Sequence, residues 1–342
     1  MNESRRTFFK RAGVAGAVAA TGNLAMSASE SLAANAGAKT KPMSPVLPKE
    51  MMLLTLLSGD SYGLGIKTEK GVLDVRKAAQ ALKSGAPTTM DELIERGDGG
   101  LSELRDKALA ANANGLFLPE NRVTYGPCVT NPQKIVCVGL NYARHAREVG
   151  QPIPKLPILF NKFNTSLNSH QGTVRVSAIP AEKFDYEAEL VIVIGRRAAN
   201  VSEGEALSHV LGYATGNDFT ARDLQSRSSQ WMIGKACDGF APIGPYLVTA
   251  DLVGDPNNLK IECHVNGEVR QSSNTNDMVF NCAQIISYAS TLMTLLPGDI
   301  IFTGTPEGVI SGYPKEKQVW LKPGDKLTTT IEKLGELRFA LV

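Results

Sequence analysis

Short apolar runs separated by glycine-rich or polar turns dominate the chain from about residue 131 onward. "KIVCVGL" (134–140), "AELVIVIG" (188–195), "IGPYLVTA" (243–250), "LKIECHV" (259–265), "DIIFTG" (299–304) and "KLTTTIEKL" (326–334) each have the length and β-branched content of strands. Asn266-Gly267 sits between two such runs in "HVNGEVR", a strong hairpin signal. Helical spacing appears in "CAQIISYASTLMTLL", where Ile285, Ala289, Leu292, Met293 and Leu296 share a face up to a stop at Pro297-Gly298. "SEGEALSHVLGY" opens with the capping pair Ser202 and Glu205. The earlier stretch has a different texture. "LLTLLSGDSYGLGIKTEKGVLDV" breaks into short strands, "TTMDELIERG" starts a helix with Thr89 and Glu92, and "LSELRDKALAA" is a second helix. The pattern predicts an α+β protein: a small N-terminal α+β domain over 51–128 and a strand-rich domain over 129–342.

Composition narrows the class. With 342 residues, 43% hydrophobic content and a formal charge of +2, the chain suits a globular protein with a sizeable core. No basic stretch interleaves with aromatics, which argues against nucleic acid as a partner. No apolar run reaches the length of a membrane span. "SRRTFFK" (4–10) followed by an Ala-rich stretch resembles a twin-arginine export signal. It predicts a signal peptide over 1–36, a linker over 37–50 and a periplasmic location. The five cysteines, Cys128, Cys137, Cys237, Cys263 and Cys282, form no CxxC pair and read as small buried hydrophobes.

One run is chemically odd. In "FDYEAELVIVIG" (184–195), Glu187 and Glu189 lie two apart, on one face of a strand, directly before an apolar core sequence. Paired charges are mostly solvated surface features, but these two have a downstream companion. "GYATGNDFTARDLQSR" places Asp218 behind a chain-bending Gly216-Asn217 pair, with Thr220 and Asp223 starting a short helix. Three convergent carboxylates make an oxygen-only site suited to Mg²⁺ or Mn²⁺, with Ca²⁺ tolerated in a looser cage.

"DYEAELVIVIG", "NDFTARDLQ", "GKACDGFAPIGPYLVT" and "LLPGDIIFTGTPEGV", in this order and preceded by "GLNYARHAREVG", resemble the fumarylacetoacetate hydrolase family over residues 131–342. The resemblance implies a mixed β-sheet or β-roll and assigns Glu187, Glu189 and Asp218 as metal ligands. It implies His145 as general base on a lid at 141–151, oriented by Glu148, with Gln225 and Lys235 stabilising enolate or oxyanion charge. It further implies Lys162 and Thr305 as anion-binding residues and brings Gln230 and Trp231 to the pocket wall. Phe163 stands where the family usually has proline. The implied activity is metal-dependent hydrolysis of a carbon–carbon bond in a small β-diketo acid of acylpyruvate or diketo sugar-acid type, by a homodimer. Alternatives on the same site are an isomerase of 5-carboxymethyl-2-hydroxymuconate type, an oxaloacetate decarboxylase or a lyase. An alternative of another kind is a non-catalytic periplasmic binding protein for oxo acids.

Overall fold

The strand Ala188–Ile194 is buried along its whole length because both of its faces are covered. Leu190, Ile192 and Ile194 pack into one apolar cluster with Ile285, Ile286, Leu327 and Leu337. Val191 and Val193 pack into another, with Met90, Leu93 and Leu104. A strand sandwiched in this way reads as a continuous apolar run rather than an alternating one. Its neighbour Val210–Asn217 is buried throughout for the same reason.

The computed structural model describes residues 45–111 and 115–342. The expected signal over 1–36, and the expected linker up to residue 44, lie outside the described residues. Among the described residues a ten-stranded sheet runs in the order Phe117–Leu118, Gly71–Asp74, Ser61–Thr68, Met52–Ser58, Leu247–Thr249, Val210–Asn217, Ala188–Ile194, Ile300–Phe302, Ile135–Gly139, Ile158–Lys162. It is mixed: Ile300–Phe302 runs parallel to Ile135–Gly139, while Ala188–Ile194 is antiparallel to both of its partners. The N-terminal block supplies one end of this sheet, Met52 lying opposite Val248. The boundary expected at residue 128 therefore falls between strands of one sheet, and the described residues form a single compact unit.

A five-stranded sheet, Glu268–Asn274, Lys260–Val265, Lys326–Ile331, Gly335–Leu341 and Gly172–Val174, covers one apolar cluster. Its strands Lys260–Val265 and Lys326–Ile331 alternate exposed and buried positions, as a sheet with one wet face should. The Asn266-Gly267 turn has positive φ at both residues, 53° and 87°, the geometry that selects Asn-Gly in hairpins.

The helix Cys282–Leu292 is closed at its start by a capping box of Asn281 and Gln284. It stops earlier than its apolar spacing predicts. Leu295 leaves the helical path to exchange both backbone hydrogen bonds with Ala198, at 2.9 Å each, and Leu292 is left exposed. The fold class is α+β with strand-rich sheets, as the sequence pattern predicts.

Candidate active site

Strand register brings the acids together. Ala188 lies opposite Asn217 and Glu189 opposite Gly216. One step further along, the Asp218 N–H donates to the Glu187 carbonyl at 2.8 Å. Carboxylates 31 positions apart in sequence thus become neighbours, and ligand oxygens of Glu187, Glu189 and Asp218 lie within 4.8 Å of one another. The mechanism of approach differs from the expected bend. Gly216 and Asn217 are the last residues of a regular strand. Gly216 lacks a side chain because Val191 and Phe302 fill that space, at 2.5 and 2.8 Å from where a Cβ would sit. Thr220 does not cap a helix either; its hydroxyl donates to the Asp218 carbonyl at 2.7 Å.

Cations surround the acids unevenly. Lys235 Nζ lies 2.6 Å from Glu187 Oε2 and 2.8 Å from Asp218 Oδ2. Arg222 reaches Glu187 Oε1 at 2.7 Å and donates through Nε to Asp185 Oδ2 at 2.9 Å. Asp218 Oδ1 is buried 2.6 Å from Lys162 Nζ, in a geometry outside hydrogen bonding. Glu189 has no cation partner among the described residues; its Oε2 accepts the Gly304 N–H at 2.7 Å.

The pKa directions follow this asymmetry. Burial alone would raise Glu187, but Lys235, Arg222 and His145 outweigh it and hold the carboxyl below its usual value. Burial, then repulsion from Asp218 and Glu187, pushes Glu189 well above its usual value. Burial works against the Lys235 ammonium, but Asp218 and Glu187 overcome it and raise that pKa. Oxygen-only donors with one uncompensated buried carboxylate fit a hard divalent cation.

The segment expected to act as a lid begins with Asn141, whose side-chain amide donates to the Thr303 and Phe280 carbonyls at 2.7 and 3.0 Å and whose Oδ1 accepts the Phe280 N–H at 2.9 Å. The short helix Ala143–Glu148 follows. One turn apart on it, His145 Nδ1 lies 2.9 Å from Glu148 Oε1. The Gly308 N–H holds Glu148 through both oxygens, at 3.1 and 2.9 Å.

A cavity of about 680 Å³ gathers His145, Glu187, Glu189, Arg222, Gln225, Lys235 and Thr305 in its wall. Thr305 Oγ1 accepts from Gln271 Nε2 at 2.9 Å, which leaves the hydroxyl proton free to donate. A second hollow, about 730 Å³ beside the edge strand Ile158–Lys162, has no carboxylate or histidine in its wall, so the acid–base groups belong to the first.

Two expected residues fall elsewhere. Lys162 does not line the cavity; its ammonium donates to the carbonyls of Phe219 (3.2 Å), Phe240 (2.9 Å) and Lys235, and faces Asp218. Engaged by three carbonyls and the Asp218 carboxylate, it has no approach to a substrate anion in the cavity. Gln230 is exposed, while Ser229 and Trp231 on either side of it border the cavity. Sequence reasoning passed over Arg222, which "ARDLQ" presents four residues after Asp218. It also passed over the backbone N–H groups of Gly304 and Gly308 in "TGTPEG".

Residues 134–342 match the model of the fumarylacetoacetate (FAA) hydrolase C-terminal domain. The chain belongs to the fumarylacetoacetate hydrolase family. Among curated relatives, the bovine mitochondrial oxaloacetate tautomerase FAHD2A is 44% identical over 281 residues, which is 82% of this chain and 86% of that protein. A putative HpcE protein from Mycobacterium smegmatis is 36% identical with a TM-score of 0.72, covering 85% of this chain and 99% of that one. Maleylpyruvate hydrolase from Sphingobium, solved with manganese(II) and pyruvate, is 32% identical with a TM-score of 0.66, covering 85% and 99%.

This member of the fumarylacetoacetate hydrolase family is accordingly an enzyme, and the binding-only alternative is set aside. The likeness also corrects the expected location. The tautomerase relatives are mitochondrial proteins, which points away from the periplasm. Two arginines before an apolar stretch do not specify a destination by themselves.

Proposed function

We propose that this enzyme interconverts the enol and keto forms of oxaloacetate or a closely related 2-oxo acid, with a divalent metal bound. The observation that carries this reading is the 44% identity to a bovine oxaloacetate tautomerase, sustained over 281 residues. It replaces carbon–carbon bond hydrolysis as the favoured reading of the site.

A divalent cation held by Glu187, Glu189 and Asp218 would supply Lewis acidity toward the adjacent oxygens of a 2-oxo acid. The chain's own groups would move the protons. With Nδ1 committed to Glu148, the Nε2 of His145 is the atom left to exchange a proton with the substrate. Glu148 fixes the ring's orientation, and Gly308 fixes Glu148. Lys235 and Gln225, both in the cavity wall, take up negative charge developing on the enolate oxygen. The Thr305 hydroxyl donates to the substrate carboxylate. General acid–base transfer of this type contributes about 10²–10⁴-fold.

The same dyad could act on a water molecule, which keeps hydrolysis as a second reading; the likeness to maleylpyruvate hydrolase favours it. The mitochondrial relatives support an intracellular site of action. The expected homodimer finds support in the free edge strand Ile158–Lys162, flanked by the half-exposed Phe163, and light scattering tests it.

The deciding assay mixes enol-oxaloacetate with metal-loaded protein and follows loss of the enol absorbance. Acceleration that disappears with a chelator and in His145→Ala supports the tautomerase. No acceleration, with release of pyruvate from an acylpyruvate instead, would transfer the site to hydrolysis.

A further inference from the structure

The acid–base and carboxylate groups occupy only part of their cavity. At about 680 Å³ it lies within the roughly 300–1,000 Å³ range that accommodates drug-sized ligands, and a four-carbon diacid is far smaller. Three aromatic side chains, Phe160, Trp231 and Trp320, stand in the remaining wall among serines, glutamines and aliphatic residues. The chain has two tryptophans, and both Trp231 and Trp320 border this cavity. The Trp231 ring meets Phe160 edge-to-face, with centroids 5.5 Å apart and planes at 75°. Phe160 in turn lies 5.4 Å from Lys235 Nζ, so the aromatic pair starts at the chemical centre and ends on the half-buried indole. Gly139 makes this possible, because a Cβ there would lie 2.3 Å from the Trp231 ring.

Charge at the mouth is also specific. His145, Arg222 and Lys235 each have a carboxylate partner. The exposed Lys183 has none among the described residues; its ammonium sits over the Trp320 ring, 5.8 Å from the centroid.

We propose that Phe160 and Trp231 form a specificity subsite for 2-oxo acids that carry an aromatic ring on the carbon receiving the proton. Lys183 receives an anionic group on the far side of that ring. The inference rests on the tautomerase reading and names its substrate class as arylpyruvates. The chemistry is balanced as an isomerisation: the enol O–H loses its proton, the carbon beside the ring gains one, and no co-reactant is needed. A conjugated arylpyruvate enol is flat, and its ring can meet Phe160 and Trp231 edge-to-face or offset, the arrangements aromatic pairs prefer.

The test measures enol-to-keto rates for oxaloacetate, phenylpyruvate and 4-carboxyphenylpyruvate with the full chain and Mg²⁺. Phenylpyruvate is expected to have a lower KM than oxaloacetate. Trp231→Ala is expected to raise the ratio of the phenylpyruvate KM to the oxaloacetate KM about tenfold, and Trp231→Phe to restore most of it. Lys183→Met is expected to raise the KM of the carboxylated substrate severalfold relative to phenylpyruvate. On the unaltered chain, 3-phenylpropanoate should inhibit oxaloacetate turnover more tightly than succinate, which keeps the test independent of any variant's folding. Turnover of oxaloacetate without phenylpyruvate, a Trp231→Ala ratio that does not move, or tighter inhibition by succinate would each overturn the subsite. Failure to turn over either substrate would instead overturn the tautomerase reading beneath it.

Discussion

Glu148 is held by Gly308: one backbone N–H donates to both of its carboxylate oxygens, at 3.1 and 2.9 Å. The loop carrying Gly308 also carries Gly304, whose N–H holds Glu189. A single turn therefore sets both the orienting partner of His145 and one member of the acidic triad. Neighbouring Gly312 leaves room for the same carboxylate, since a Cβ there would lie 2.6 Å from Glu148 Cδ. Gly312→Ala should displace Glu148 while leaving the other site residues unaltered in sequence. A shift of about 1 Å at a catalytic group can cost on the order of 10²-fold. The expected outcome is a fall in kcat of about ten- to a hundredfold with little change in KM, measured by steady-state kinetics. A fall in KM affinity without loss of kcat would place the damage in substrate binding instead.

Glu189 carries the least compensated charge of the triad, since burial and its two acidic neighbours raise its pKa and no cation among the described residues pairs with it. Glu189→Gln removes that repulsion and keeps an acceptor for Gly304. The metal-free variant should melt higher than the metal-free parent by about 1–2 °C, the shift expected for roughly 1 kcal/mol in a chain of this size. The parent should gain further stability on adding Mg²⁺, by mass action on the folded state, and the variant should not. Thermal melts with and without Mg²⁺ or Mn²⁺ give the comparison. An undiminished Mg²⁺ effect in the variant would remove Glu189 from the metal site.

Arg222 spans Asp185 and Glu187, and all three side chains are largely buried. Asp185 has other donors, the N–H groups of Tyr186, Ile310 and Ser311. Glu187 depends more on its cations. Arg222→Met should destabilise the protein by about 3–5 kcal/mol, the usual cost of breaking a buried pair from one side. Arg222→Lys keeps the charge but cannot fork to both acids, so it should recover only part of the loss. Urea unfolding of the metal-free proteins reads this directly. Equal stability of Arg222→Met and the parent would mean that the carboxylates are already neutral.

The acidic triad was legible in the sequence because an apolar strand exposes anything polar placed on it, and Glu187 and Glu189 break that pattern together. Asp218 was found for a partly mistaken reason: antiparallel register, rather than a bend at Gly216-Asn217, carries it beside Glu187. Sequence spacing gives no sheet register, so it could not show that Lys162 turns inward onto three carbonyls or that Gln230 faces solvent. Arg222 escaped notice because one Arg in a short helical stretch looks like surface charge until its two acidic partners, 35 and 37 positions earlier, fold against it. The hairpin at Asn266-Gly267 was readable because its conformation is local. The early end of the Cys282–Leu292 helix was not, since Ala198 causes it from across the chain.

Cysteine accessibility tests the packing of the buried core. Cys128, Cys137, Cys263 and Cys282 are fully buried, and Cys237 is the partly exposed exception. Burial pushes the Cys128, Cys263 and Cys282 thiols up to about 12 and Cys137 well above its usual value. Thiols held this way carry almost no thiolate near neutral pH and are also out of reach of a reagent. Burial raises Cys237 as well, with Lys162 opposing, so its rate should lag behind that of a free thiol near pH 8 and climb as the solution becomes more alkaline. A native-state thiol titration should therefore give one reacting group, and denaturant should release all five. A second thiol reacting on the same timescale in the native protein would show that part of the fold opens locally, at a free energy well below that of global unfolding.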